Sequence, residues 1–330
     1  MIKAYAKEDD VLVAHDLPPG TPLPEGTVWI DLLEPTPEED AHIESLGGIG
    51  IPTRDEMTEI EESSRFYSEN GALYLTAPVL FRAGTDNPGL APITFVVTEQ
   101  YLITVRYTTP QSVAHFIARV SKAGNNLVST QCNPFAILFG LFEAITDRLA
   151  DVLESAAQRL DGESNRLITG VNGKKPMSTP SFRSGLTTIG KEGEFLSKAR
   201  ESLAGISRLL AYVHSNMPSE EESSQNRMML ESLERDIRSL TDHVAFLSER
   251  TIFLLDTVVG LVSVEQSAII KIFSVVAVVF MPPTLVASIY GMNFRHMPEL
   301  DWLLGYPWAI GLMVASALLP LLYFRGRGWL

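Results

Sequence analysis

The 330-residue chain has a single cysteine, Cys132, which excludes a disulfide framework and a thiolate zinc cluster within one chain. Basic residues are scarce: 26 Lys and Arg stand against 40 Asp and Glu, for a net charge of -14. That balance argues against nucleic acid as a partner and fits a surface that attracts cations. The opening stretch, MIKAYAKEDD, lacks the apolar core of a secretory signal, so the bulk of the chain is expected to stay on the side where it is made. No nucleotide-binding glycine loop, catalytic triad or metalloprotease motif is found, which leaves no sequence argument for an enzyme. Two further absences organise everything else. Charge is missing from Ile272 to Phe294 and again from Leu303 to Phe324, and proline is missing between Pro218 and Pro282.

About 20 apolar residues suffice to cross a bilayer as a helix, so the charge-free runs predict two spans, 267–292 and 303–324, near the C-terminus. The first has a seam. Ser267, Ile270, Ser274, Ala277, Met281, Thr284 and Ser288 recur at steps of three and four, which places them on one face. That face is mostly small or hydroxylated, while Ile269, Ile272, Val275, Val276, Val279 and Phe280 suit lipid or a neighbouring helix. Small and hydroxylated side chains in a membrane either hold helices together or line a wet path. The long proline-free stretch before Pro282 predicts one helix that begins as a stalk over 218–266 and runs on into the first span. At 1.5 Å per residue it would reach roughly 100 Å, far beyond a membrane. Helical spacing carries Asp256 onto the seam near its inner mouth.

Arg250 and Lys271 precede the first span, and Arg325 and Arg327 follow the second in a tail of residues 325–330. Positive charge favours the cytoplasmic side, so both termini are expected there. The loop of residues 293–302, with Glu299 and Asp301, would then face out, although Arg295 opposes the bias.

Residues 1–125 mix strands and helices. Val11–Ala14 and Thr27–Leu33 read as strands. Thr36-Pro37-Glu38-Glu39 is a capping box with proline at the first helical position, and Thr53 with Glu56 repeats the device. Arg65–Ser68 and Ala72–Leu80 flank the turn signal Asn70-Gly71. Ile93–Val97 and Tyr101–Arg106 pair around Glu99-Gln100, and Ser112–Ala123 reads as a helix. Together these predict a layered α/β domain. Residues 126–217 read as a helical hairpin, with an apolar face on Phe135, Leu138, Leu141, Phe142, Ile145 and Leu149. The glycine- and serine-rich stretch 170–185 is the expected loop, and Ile189–Asn216 the second helix. An acidic stripe, Glu143, Asp147, Asp151 and Glu154, is either a solvated face or a collector of divalent cations.

The motif Tyr290-Gly291-Met292-Asn293, followed by Phe294 and Met297-Pro298-Glu299-Leu300, resembles the signature of the CorA-type magnesium and cobalt transport family. The register extends to Phe280-Met281-Pro282, Thr284, Gly305-Tyr306-Pro307 and Trp329-Leu330. Gly291 also suits a left-handed helix cap, and Asn293 suits a helix end. The resemblance implies an α+β membrane protein in which a cytoplasmic α/β/α domain, a helical hairpin and a long stalk helix lead into the first of two transmembrane helices. Five copies would form a homopentameric funnel in the bacterial inner membrane, in contact with lipid, with the first span lining the pore. Gly291, Met292 and Asn293 would be its selectivity filter, Ile270, Phe273 and Met281 a hydrophobic gate, and Lys271, Arg325 and Arg327 a basic collar.

The cargo implied is Mg²⁺, with Co²⁺ as a further possibility. Mg²⁺ holds six waters at about 2.0 to 2.1 Å and dehydrates reluctantly. A ring of Asn293 amides offers acceptors to that hydration shell without a fixed charge that would trap the ion. Phe273 alternatively packs between helices, and Lys271, Arg325 and Arg327 alternatively serve as snorkelling and orienting charges. The family's regulation by intracellular divalent cations implies a second, carboxylate site. Glu231, Glu234 and Asp236, flanking the departure at Ser232, and Asp55 and Glu56, with Glu59, Glu61 and Glu62, are the candidates. Ser267 is another departure, standing where many relatives carry asparagine, and Pro283 beside Pro282 a third. Zn²⁺, Ni²⁺ or Co²⁺ transport in the same superfamily, or a membrane-tethered scaffold, are the alternative functions.

Overall fold

A computed structural model describes residues 1–85, 87–123, 128, 132–172, 179–217, 224–292, 297–298 and 302–328. The chain divides into two compact units. One combines Met1–Thr169 with Arg183–Leu254, and the other combines Gly170–Phe182 with Leu255–Leu330.

The first unit is built on a seven-stranded sheet: β1 (Ile2–Glu8), β2 (Val11–Asp16), β3 (Thr27–Leu33), β4 (Phe66–Glu69), β5 (Ala72–Phe81), β6 (Gly89–Val97) and β7 (Leu102–Arg106). The strand order is β2-β1-β3-β7-β6-β5-β4. Every neighbouring pair is antiparallel except β3 and β7, which run parallel with Asp31 opposite Thr104. The strand β1 carries Lys3 and Lys7 on one side, but Tyr5 between them is buried along with Ala4 and Ala6, which breaks the alternation of exposed and buried positions. The tight turn at Asn70-Gly71 is as expected: both residues have positive φ, 50° and 78°, which a two-residue hairpin loop requires.

Among the described residues, this unit carries before the hairpin the α-helices α1 (Pro37–Gly47), the single turn α2 (Glu62–Arg65) and α3 (Gln111–Val120). The box that starts α1 is complete. The Glu39 amide donates to Thr36 Oγ1 at 3.3 Å, and the Thr36 amide donates to Glu39 Oε2 at 2.9 Å. Ile43 of α1 joins Ile30, Leu32, Ile103 and Val105 in a core on one face of the sheet. On the other face Trp29 stacks on Tyr5, with centroids 4.2 Å apart, and meets the edge of Phe116 from α3. Phe95 meets Phe142, from the first hairpin helix, there. Helix on sheet on helix is the layering that buries both faces of such a sheet.

Beneath Trp29 runs a polar chain. Its indole donates to Thr104 Oγ1 at 3.1 Å, Thr104 donates to Asp31 at 2.7 Å, and Arg106 closes a bidentate pair on Asp31. Arg106 also donates to the Thr108 carbonyl. Asp31 and Arg106 are both buried, and the bonds from Trp29 to Thr104 and from Thr104 and Arg106 to Asp31 tie β3 to β7 in the middle of the sheet. Burial of the Tyr5 hydroxyl, with the Asp31 charge beside it, pushes its pKa up to about 12.

The hairpin helices are α4 (Pro134–Asn172) and α5 (Thr179–Asn216). The expected loop of residues 170–185 is therefore corrected: helix covers all of it except 173–178, which lie outside the described residues, and α5 starts ten residues before Ile189. Glycine and serine content suggested a loop, but Gly185, Ile189, Glu192, Phe195 and Leu196 form a buried stripe at helical spacing, and packing of such a stripe outweighs weak propensity. Gly205 brings α5 against the sheet, where a Cβ would lie 2.5 Å from Pro78 Cδ. Ser202 donates to the Pro78 carbonyl at 2.8 Å in the same seam.

The long helix α6 runs unbroken from Ser224 to Tyr290. Among the described residues, its C-terminal part and α7 (Gly305–Gly326), both in the second unit, are the helices long and apolar enough to cross a membrane. The second span thus begins two residues after Leu303, which sits in the turn before it.

Candidate ion pathway and sensing residues

The C-terminal part of α6 exposes its seam. Ser267, Ile270, Ser274, Ala277, Met281, Thr284 and Ser288 are all exposed in the single chain, whereas Val275 on the opposite side is buried. The hydroxyls along this face are locally committed. Ser267 donates to the Ser263 carbonyl at 2.9 Å, Ser274 to Ile270 at 2.8 Å and Thr284 to Phe280 at 2.8 Å. A hydroxyl has one hydrogen and two lone pairs. With the hydrogen bound to the preceding turn, the seam offers acceptor oxygens, which suit the outward-pointing hydrogens of a hydrated cation. Phe273 and Met281 are each 70 % exposed, so both are available to a second copy or to a lumen.

Gly291 ends this helix without the left-handed conformation expected of a cap. Its φ is not positive, and its amide still bonds to the Ala287 carbonyl at 2.9 Å. A Cβ there would lie 3.1 Å from that carbonyl. Met292 follows in a bend, with its amide on the Ile289 carbonyl at 3.2 Å. Asn293, Glu299 and Asp301 lie outside the described residues.

Lys271 to Tyr290 on α6 and Tyr306 to Arg325 on α7 each cover 20 residues, about 30 Å of helix, which matches a hydrocarbon core. Each apolar stretch therefore has a cation at one end and a tyrosine at the other, the pairing favoured at membrane interfaces. Arg327 lies 5.8 Å from the Tyr323 ring centroid at the end of α7. Asp256 is exposed on α6.

The acidic candidates are mostly engaged locally. Glu56 accepts from the Thr53 amide and hydroxyl, each at 2.8 Å, and Asp55 accepts at its carbonyl from Thr58. Glu62 pairs with Arg208, Glu231 with Arg227 at 3.3 Å, and Glu234 with His214 at 3.2 Å. Asp236 differs, because it lines a cavity of about 260 Å³ with Glu143, Ser232, Met228 and Phe139. Nearby Asp147 is held above the usual carboxylate range, first by burial and then by the charges of Glu143, Asp151 and Asp236, with Arg119 opposing. Among the described residues, no three His, Cys, Asp or Glu side chains of one chain gather as a metal site. Sequence spacing had put Glu143 and Asp147 on a stripe. That Asp236 of the stalk joins their field depends on the packing of α4 and α6, which periodicity does not supply.

An α/β unit and two membrane-length helices, the first being the 67-residue α6 with its hydroxylated face, are the architecture of a two-span membrane protein, and the family matched below makes it one of the divalent-cation transporter class. The family model described as "CorA-like Mg2+ transporter protein" matches residues 24–326. The chain belongs to that family, whose members are transporters rather than enzymes. It is 36 % identical over 332 residues to the magnesium transport protein CorA of Pasteurella multocida (strain Pm70) and 34 % identical to that of Escherichia coli (strain K12), each covering 100 % of both chains. The fold is similar to the complete structure of the CorA magnesium transporter from Methanocaldococcus jannaschii, with a TM-score of 0.78 and 18 % identity over 100 % of this chain and 99 % of that one. It is also similar to the full-length CmaX protein, with a TM-score of 0.68 and 14 % identity over 99 % and 97 %.

Proposed function

We propose that copies of this chain assemble around the exposed seam of α6 and carry hydrated Mg²⁺ inward across the bacterial inner membrane. The single observation that carries this reading is the row of acceptor oxygens from Ser267 to Thr284 leading to Gly291-Met292-Asn293, in a chain of the Mg²⁺ transporter family. Entry is driven by membrane potential, worth about 4.6 kcal/mol per divalent ion per 100 mV. A pentamer places five Asn293 amides in a ring that accepts hydrogen bonds from the ion's inner waters. Both termini and the α/β unit then lie in the cytoplasm, and the loop with Glu299 and Asp301 lies outside.

Two finer parts belong to the same reading. Ile270, Phe273 and Met281 close the lumen by excluding water, with Lys271, Arg325 and Arg327 around its inner end. Intracellular Mg²⁺ favours the closed assembly by binding carboxylates from different copies, drawn from Asp55, Glu56, Glu231, Glu234 and Asp236. A ligand that binds one state better shifts the population toward it.

The deciding experiment is uptake into vesicles holding the full-length protein. Asn293→Ala should abolish Mg²⁺ entry while the protein still assembles. Undiminished uptake would overturn the filter, and no uptake by the parent protein would overturn transport in favour of a tethered scaffold. Ser267, in place of an amide, favours testing Co²⁺, Ni²⁺ and Zn²⁺ as competitors in the same assay. Mg²⁺ should be displaced least.

A further inference from the structure

Pro282 and Pro283 lie inside the α6 helix. Proline carries no amide hydrogen, so the two carbonyls four residues earlier, at Val278 and Val279, lose their usual helical donors. The closest hydroxyl in sequence, Thr284, donates instead to Phe280 at 2.8 Å. A backbone carbonyl left bare in hydrocarbon costs several kcal/mol, so at this depth each must find water or another donor.

The two carbonyls stand on different sides. At about 100° per residue, Val278 lies about 60° from Met281 around the helix and Val279 about 160° away. Exposure differs in the same direction: Val278 is 44 % exposed and Met281 70 %, whereas Val279 is half-buried and Val275, a turn before it, is only 6 % exposed.

We propose that Pro282 serves transport by releasing the Val278 carbonyl as a backbone acceptor on the flank of the seam, where it takes a hydrogen bond from the shell of the passing hydrated Mg²⁺. Pro283 releases Val279 on the covered side and has no part in ion contact. One copy contributes one such oxygen, and the assembly contributes a ring of them, about a turn inward of Thr284. Backbone oxygen suits this position because it is a strong acceptor that carries no net charge and no rotamer freedom. The inference rests on the proposed pore lining of α6.

The test separates the missing hydrogen from the proline ring. In vesicles, Pro282→Ala restores an amide that recaptures Val278, and the Mg²⁺ concentration for half-maximal uptake should rise at least tenfold, while Pro283→Ala should stay within twofold of the parent. Replacing Pro282 by the α-hydroxy analogue of alanine, which forms a backbone ester without an N–H, should restore parental uptake. Equal effects of the two alanine variants, or an ester variant as impaired as Pro282→Ala, would overturn the proposal. If Pro282→Ala does not assemble, the ester variant decides against the parent: parental uptake supports the proposal and a tenfold loss sinks it. Failure of the pore lining itself would show separately, as a cysteine at Thr284 that no water-soluble thiol reagent reaches and whose modification leaves uptake unchanged.

Discussion

The Arg106 guanidinium grips the Asp31 carboxylate edge-on, with Nε 2.9 Å from Oδ1 and Nη2 2.7 Å from Oδ2, inside the α/β unit. The two residues come from β7 and β3, the one parallel pair in the sheet. A parallel pair cannot be joined by a tight hairpin, so nothing local fixes its register. The paired charges do, because sliding one strand would leave a buried ion without its partner. Removing either partner strands the other, at a cost of about 3 to 5 kcal/mol. Asp31→Ala in the full-length protein should lower the unfolding free energy of the α/β unit by that amount, read from the shift in its denaturant midpoint. Asp31→Leu combined with Arg106→Leu should recover part of the loss, measured by denaturant unfolding in detergent.

Gly205 makes a second claim on stability. A Cβ would meet Pro78 Cδ at 2.5 Å, against a proline ring set in a sheet, whereas Gly190 on the same helix has open space. Gly205→Ala should destabilise by about 1 to 3 kcal/mol through overpacking. Gly190→Ala should stabilise by up to about 1 kcal/mol through helix propensity. Opposite shifts in the midpoint of the full-length protein would confirm that α5 rests on β5 at this glycine.

These two glycines show where the sequence was readable and where it was not. Periodicity and turn chemistry are local, so the Thr36 capping box, the Asn70-Gly71 hairpin and both apolar runs could be recognised from neighbours in the chain. The early start of α5 was hidden, because what overrides its glycine and serine content is burial against distant residues. The strand β1 was hidden for a related reason: Tyr5, between Lys3 and Lys7 on the same side, is buried by Trp29 from another strand. The partnership of Asp31 with Arg106, 75 residues apart, left no sequence signal beyond two charges in apolar strands. At the seam the opposite holds. Its side chains line up by helical spacing alone, and the hydroxyl bonds run only to the previous turn, so the shared helix face was legible, while Asn293 beyond it lies outside the described residues. The cavity at Asp236 was not, since it forms between helices far apart in the chain.

The acidic field on α4 makes a pH prediction. Asp147 is raised above its ordinary value by burial and by Glu143, Asp151 and Asp236. A raised carboxyl pKa favours the protonated folded form. Its contribution to stability is therefore full below the unfolded-state value of 3.8 and is lost as pH rises through the higher folded value. Asp147→Asn removes the charge at every pH. It should stabilise the protein at neutral pH and flatten the dependence just above the ordinary carboxylate range. Added Mg²⁺ should stabilise the parent more than the variant if cations are drawn to this field. Equal protease protection by Mg²⁺ in both would assign the stripe to a solvated face.

Met281 tests the gate against packing. Its side chain lies on the seam beside the hydroxyl of Thr284, while Phe273 lies one residue off the line of Ser267, Ile270 and Ser274. If Met281 closes the lumen, its flexible thioether holds an apolar ring that water wets poorly. Met281→Ser should then raise Mg²⁺ uptake severalfold at low external Mg²⁺ and weaken closure by internal Mg²⁺. Phe273→Ala gives the contrasting result. As part of the gate it should raise uptake as Met281→Ser does, but as an interhelical contact it should lower the amount of assembled protein without changing uptake per assembly. Loss of a buried aromatic contact between helices costs about 3 to 5 kcal/mol, enough to show as dissociation on size-exclusion chromatography. Measuring uptake and assembly on the same preparations therefore assigns Phe273 to one role or the other, and an unchanged Met281→Ser flux would remove Met281 from the gate.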